Sequence, residues 1–193
     1  PLHNPPASGA IDDLASVLPG VPAVACFDTA FHADLPAESA RYALPPEWVE
    51  RWGIRRFGFH GLSCAWAAPR SATLLGRDPA GLRLVICHLG GGASATAVVG
   101  GVSVDTTMGF TPTEGLVMAT RSGDVDPGAL AWLVEQGVTG PELVRGLELG
   151  GGLLALTGGS TGDMRELLDR RRAGDAAAAG AVAVFEHRLA AKV

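Results

Sequence analysis

Val85-Ile-Cys-His-Leu-Gly-Gly-Gly-Ala-Ser94 is an apolar run that halts at a histidine, turns through three glycines and resumes in the extended-looking residues 95–104. That pattern predicts a strand, a glycine loop and a second strand. Glycines allow left-handed backbone angles and the close approach of a ligand, so successive N–H groups can converge on an anion, for which phosphate is the natural guest. The loop does not open a helix, which removes the structural context of the dinucleotide and Walker phosphate loops. Two readings stay open on these residues alone: a phosphate cradle of hairpin type, and a hairpin turn without a ligand.

On the N-terminal side, residues 21–27 form a short apolar run after Pro19-Gly20 that predicts a buried strand. Residues 28–32 follow it as the loop at the strand's C-terminal end, where ligands tend to sit in α/β folds. Residues 82–87 and 95–104 are the next strands, the second one turned at Gly100-Gly101. Residues 62–75 read as a helix, which Pro69 should kink or restart. Beyond residue 125 the pattern becomes helical. Asp126-Pro127 supplies an N-cap and a first-turn proline, Leu130, Leu133 and Val134 form a stripe, and Gly137 ends it. Pro141 starts a second helix that ends near Gly150. Asp163 and Asp175 cap a third and a fourth, with Met164, Leu167 and Leu168 sharing one face and Val182, Phe185 and Leu189 another. Strands precede helices, with neither repeat nor long linker, so a mixed α/β class is expected.

The 193 residues, 47% hydrophobic and 18% charged, describe a folded chain with a core of its own. A net charge of −5 and a basic cluster limited to Arg170-Arg-Arg172, expected on a solvated helix face, argue against nucleic acid as partner. No apolar run approaches a membrane span and the first residues lack a signal-peptide pattern, so a cytoplasmic location without membrane contact is expected. Cys26, Cys64 and Cys87 read as reduced, buried thiols, and a metal site is not expected from them. The sequence starts without methionine in a proline-rich turn and stops inside a helix pattern, so the chain is expected to be a segment of a longer protein.

Four polar clusters stand next to apolar segments: His3-Asn4, residues 28–32, Phe59-His60-Gly61, and Arg121-Ser-Gly-Asp124. Taken singly, each has a structural reading. A lone histidine is often a hydrogen-bonded core residue, Asp28 could cap a helix near Ala30, and Arg121 could pair with Asp124 or Asp126. Taken together, a carboxylate, a permanent cation, neutral imidazoles and a glycine loop are the parts a phosphoryl-transfer site requires.

Five segments carry a resemblance to the acetate kinase family of acetate and propionate kinases. They are Pro1-Leu-His-Asn-Pro5, Phe27-Asp-Thr-Ala-Phe-His32, Arg55-Arg-Phe-Gly-Phe-His-Gly61, the loop His88-Leu-Gly-Gly-Gly92, and the run DTTMGFTPTEGLVMATRSGD from Asp105 to Asp124. A sixth, Asp163-Met-Arg165, is similar to that family's nucleotide-side motif. The chain is identified as a member of the family from its first residue to beyond Asp163.

The resemblance implies an α/β fold of the actin, hexokinase and sugar-kinase type (ribonuclease H-like), with two domains closing on a nucleotide. Residues 1–29 would end the N-terminal domain and residues 30–193 would form a truncated C-terminal domain. The implied reaction transfers the γ-phosphoryl group of ATP to acetate or propionate, reversibly, with Mg2+, in a cytoplasmic homodimer. Asp28, His60 and Arg121 would be catalytic, Asp28 helping to position metal and phosphates, with the metal ligands themselves expected in segments absent from this chain. His88, Leu89, Gly90, Gly91 and Gly92 would meet the ATP phosphates, and Asp163, Met164 and Arg165 would lie toward the adenosine. Leu2, His3, Phe59 and Pro112 would bind the short acid, although core packing explains Leu2, Phe59 and Pro112 as well. Gly91 stands where the family usually has asparagine, and Thr161-Gly162 loosens its usual Ser-Ser-Asp-Met-Arg run. The alternative is a catalytically inactive nucleotide- or phosphate-binding fragment of the same fold.

Overall fold

A computed structural model describes residues 4–193. Its centre is an antiparallel sheet of β1 (Arg83–Leu89), β2 (Ala93–Val99) and β3 (Val102–Thr106), in that order across the sheet. The three glycines join β1 to β2, pairing Leu89 with Ala93 and His88 with Ser94. Gly100-Gly101 turns β2 into β3, as the sequence predicts. Alternation along β2 places Ser94, Thr96 and Val98 on one face, all buried.

Against β1 packs α4 (Gly61–Leu75). Cys64, Ala68 and Ala72 recur every fourth residue and are buried, and these small side chains let the helix lie close. The expected restart at Pro69 does not occur, and α4 runs through it unbroken. Pro69 and Ala65 are exposed, so the carbonyl freed by the missing N–H can meet water.

Three further expectations are corrected. The proline-rich start is helical from Asn4: α1 (Asn4–Val17) takes Pro5 and Pro6 in its first turn, where their missing N–H groups cost no hydrogen bond. Residues 21–27 are neither strand nor buried. They have no sheet partner among the described residues, and Val24 and Phe27 are 85% and 69% exposed. An apolar run becomes a buried strand only where another element covers it. Of the three cysteines only Cys64 is buried, while Cys26 and Cys87 are exposed.

A 3-10 turn (Ala30–His32) and two short helices, α2 (Ala37–Ala40) and α3 (Pro46–Trp52), precede α4. After β3 come α5 (Pro127–Glu135), α6 (Gly140–Glu148), α7 (Gly152–Leu156), α8 (Met164–Arg172) and α9 (Ala176–Ala190). Asp126, Asp163 and Asp175 cap α5, α8 and α9 as expected, each accepting a main-chain N–H, while α6, expected from Pro141, starts at Gly140 behind a Thr139–Glu142 capping box. The helix α7 has no sequence counterpart.

Two apolar clusters meet along residues 116–118. Val117 joins Leu153, Leu167, Ala178, Ala181 and Val182, with Met164, Leu168 and Phe185 against them, while Leu116 and Met118 join Ala93, Ala95 and Met108. Alternate side chains thus pin this extended segment between sheet and helices, and the pinning fixes the position of Arg121 three residues further on. Among the described residues no helix is long and apolar enough to cross a membrane.

Candidate active site

Asp28 and His60 are joined through the main chain. The His60 N–H donates to Asp28 Oδ2 at 2.7 Å, and the Gly61 N–H donates to the Asp28 carbonyl at 2.8 Å. Gly61 is required here, because a Cβ would overlap the Asp28 carbonyl oxygen. His60 is the one non-glycine residue with positive φ among the described residues, at 58°, a costly conformation held in place by these bonds. Asp28 therefore does not cap the Ala30–His32 turn through its side chain.

The His60 ring faces the glycine turn. Its Nδ1 lies 2.9 Å from Ser94 Oγ, and its plane stacks on His88, whose Nδ1 lies 3.0 Å from Ser63 Oγ. Burial, reinforced by the neighbouring His88 imidazole, pushes the His60 pKa down to about 4, while Asp28 pulls the other way. The imidazole is neutral at pH 7. His32, in contrast, is a core histidine, bonded to Ser103 Oγ at 2.8 Å and to the Phe59 carbonyl at 3.0 Å.

Arg121 closes the opposite side. Its NH1 donates to the Pro112 carbonyl at 3.1 Å, and it pairs with neither Asp124 nor Asp126: Asp124 takes Lys192 at 2.7 Å and Asp126 caps α5. The turn that carries it is clamped by α7, with Leu153 N–H on the Met118 carbonyl and Leu154 N–H on that of Ala119. Gly152, at φ 63°, lets this helix start so close that any Cβ would strike the Met118 carbonyl.

Between the imidazole and the guanidinium lies the glycine turn. A Cβ built on Gly92 would sit 3.3 Å from His60 Nε2 and 3.4 Å from Arg121 NH1, so both groups flank one point. The turn is fastened by Gly90 N–H to the Gly92 carbonyl at 2.9 Å and by Ala119 N–H to the Gly91 carbonyl at 3.0 Å. Beside it opens a cavity of about 830 Å³ lined by Leu89, Gly90, Gly91, Asp163, Met164 and Arg165 among others.

The expected site residues from Asp28 to Arg165 thus gather around the turn and this cavity. Phe59 is half-buried against the Ala93–Met118 cluster, and the Pro112 carbonyl accepts from Arg121. Leu2 and His3 lie outside the described residues. Ser63, Ser94 and a brace of Tyr42, Arg56 and Glu114 escaped the sequence reading. In that brace Arg56 meets Glu114 at 2.7 Å, Tyr42 donates to Glu114 and accepts from Phe110 N–H at 2.9 Å, holding the loop that carries Pro112. Burial and the Glu114 carboxylate push the Tyr42 pKa up to about 12.

The Acetokinase family profile matches residues 1–193. An acetate kinase of Synechococcus sp. is 49% identical over 193 residues, covering 100% of this chain and 47% of that protein. One of Fervidobacterium nodosum is 46% identical over 191 residues, 98% of this chain and 47% of the relative. Among solved structures, a propionate kinase from Francisella tularensis superposes with a TM-score of 0.93 at 41% identity, over 98% of this chain and 49% of that one. Porphyromonas gingivalis acetate kinase gives 0.91 at 38% identity, over 97% and 47%. The chain therefore spans about half the length of the relatives it matches. With a histidine, an arginine and a glycine turn meeting at one point, and with a profile match along all 193 residues, the chain belongs to the acetokinase family.

Proposed function

We propose that the protein transfers the γ-phosphoryl group of ATP to the carboxylate of acetate or propionate, and that this chain carries much of the reacting centre. The observation that supports it is the point beside Gly92 flanked by His60 Nε2 and Arg121 NH1. Residues 1–29 would end an N-terminal domain and residues 30–193 belong to the C-terminal one. The protein acts in the cytoplasm, as a homodimer.

A carboxylate nucleophile has an ordinary pKa near 4 and is ionised at neutral pH, so no base has to take a proton from it. The barrier is the approach of two anions. Arg121, free of any carboxylate partner among the described residues, supplies the cation between them, and its planar fork can hold oxygens on both reactants. Neutral His60 adds a hydrogen bond to the phosphoryl group in flight, without a charge that titrates near neutrality. The main-chain N–H groups of Gly91 and Gly92 meet the remaining phosphates, that of Gly90 being spent on the Gly92 carbonyl, and Asp163, Met164 and Arg165 border the cavity in which the nucleoside would lie. Phe59 and Pro112, with Leu2 and His3, would set the size of the acid.

Magnesium would arrive with the nucleotide. Among the described residues no three His, Cys, Asp or Glu side chains group to hold a metal. Asp28, with Oδ2 engaged by His60 N–H, can add Oδ1 as one oxygen ligand, which suits an ion held chiefly by phosphates and water.

Hydroxylamine trapping of acetyl phosphate, with ATP, Mg2+ and acetate supplied, tests the activity in the intact protein; no hydroxamate overturns it. The half-length match favours a second reading, an inactive nucleotide-binding fragment. Heat of binding for MgADP without hydroxamate formation would select that reading.

A further inference from the structure

Ser94 is completely buried, and His60 Nδ1 is the sole partner of its hydroxyl among the described residues. A serine hydroxyl brings one proton that needs an acceptor. If His60 carried its own proton on Nδ1, that hydrogen would point at Oγ and the serine proton would be left buried with no acceptor, a cost of about 1–3 kcal/mol. The satisfied arrangement has Ser94 donating to a bare Nδ1, which leaves the imidazole proton on Nε2. Ser63, part-buried on α4 three residues after His60, lies 3.0 Å from His88 Nδ1, and its donation there leaves the His88 proton on Nε2. Both Nε2 atoms then face the turn: a Cβ on Gly90 would lie 3.5 Å from His88 Nε2, and one on Gly92 would lie 3.3 Å from His60 Nε2.

We propose that Ser94 and Ser63 are positioning residues that lock His60 and His88 as Nε2–H tautomers, so that two neutral donors point at the glycine turn where the phosphoryl group is proposed to bind. The functional consequence rests on the phosphoryl-transfer reading; the tautomers themselves do not. Neither serine touches substrate. A wrong tautomer would present a lone pair to phosphate oxygens and repel them.

The test is long-range 1H–15N correlation of histidine ring nitrogens in the intact protein at pH 7.5. The expected spectrum has Nδ1 of both residues resonating as unprotonated and Nε2 as protonated nitrogen. Ser94→Ala should convert His60 alone to a mixture of tautomers, Ser63→Ala should do so for His88 alone, and Ser94→Thr should restore the parent pattern. Protonated Nδ1 in the parent, or unchanged patterns in the alanine variants, overturns the proposal. If Ser94→Ala fails to fold by circular dichroism, the parent spectrum and Ser63→Ala decide. In parallel, Ser94→Ala should weaken inorganic phosphate about twofold, because only the Nε2–H share of a roughly equal tautomer mixture can donate. A parent that binds no phosphate refutes the phosphoryl-transfer reading, and the spectrum still judges the tautomers.

Discussion

The imidazoles of His60 and His88 lie face to face, with ring centroids 3.9 Å apart and planes 15° from parallel. Burial makes charging His60 costly and the stacked His88 ring adds to that cost, which is why the His60 pKa falls to about 4. The unfolded chain takes up this proton near pH 6.5 and the folded one only near 4. Between these values the unfolded state binds more protons, so stability should fall as pH drops through that window, by on the order of 1 kcal/mol for this half-buried group. His32, lowered by burial, acts in the same direction. Urea unfolding at pH 7.5 and 4.5 measures the loss, and His60→Gln should reduce it; a pH-independent midpoint contradicts the assignment.

Arg121→Lys keeps the charge but loses the fork. A lysine ammonium is a compact point charge that cannot present parallel N–H groups to planar oxygens, so turnover should fall on the order of 10²–10³-fold. Hydroxamate formation by the intact enzyme measures it, and turnover close to the parent's removes Arg121 from the reaction.

Gly92→Ala fills the point that His60 and Arg121 flank. Its φ is not positive and the methyl meets only the ends of two side chains, so the unfolding midpoint should change little. MgADP binding and turnover should nevertheless drop tenfold or more, since a displacement of about an ångström at a reacting centre is costly. Binding equal to the parent's would show that the anion lies elsewhere.

Asp28→Ala removes the acceptor of the His60 N–H and leaves a left-handed histidine unsupported, a destabilisation of about 1–3 kcal/mol by urea titration. Asp28→Asn keeps an oxygen acceptor and should recover most of that. Equal stability of the alanine variant and the parent would mean that the bond does not hold His60.

Local signals were legible in the sequence and long-range ones were not. Asp126, Asp163 and Asp175 announce their helices because an N-cap acts over a few residues, and the β1–β2 loop follows from consecutive glycines. Residues 21–27 misled because apolarity shows what could be buried and not what covers it. The Asp28–His60 bond, thirty-two residues apart in sequence, left no periodic trace; its members were found by resemblance and not by spacing. Ser94 and Ser63 carried only faint signals, period two beyond the turn and one helical turn beyond His60. A hydroxyl's partner emerges only when the chain is folded.

Residues 23–27, exposed, hydrophobic, uncharged, free of proline and without a sheet partner among the described residues, leave their main chain open to pairing with a second molecule. Concentrated samples of this polypeptide by itself should form thioflavin-positive aggregates seeded there, and Val24→Lys, a gatekeeper charge, should delay them without touching the reacting centre.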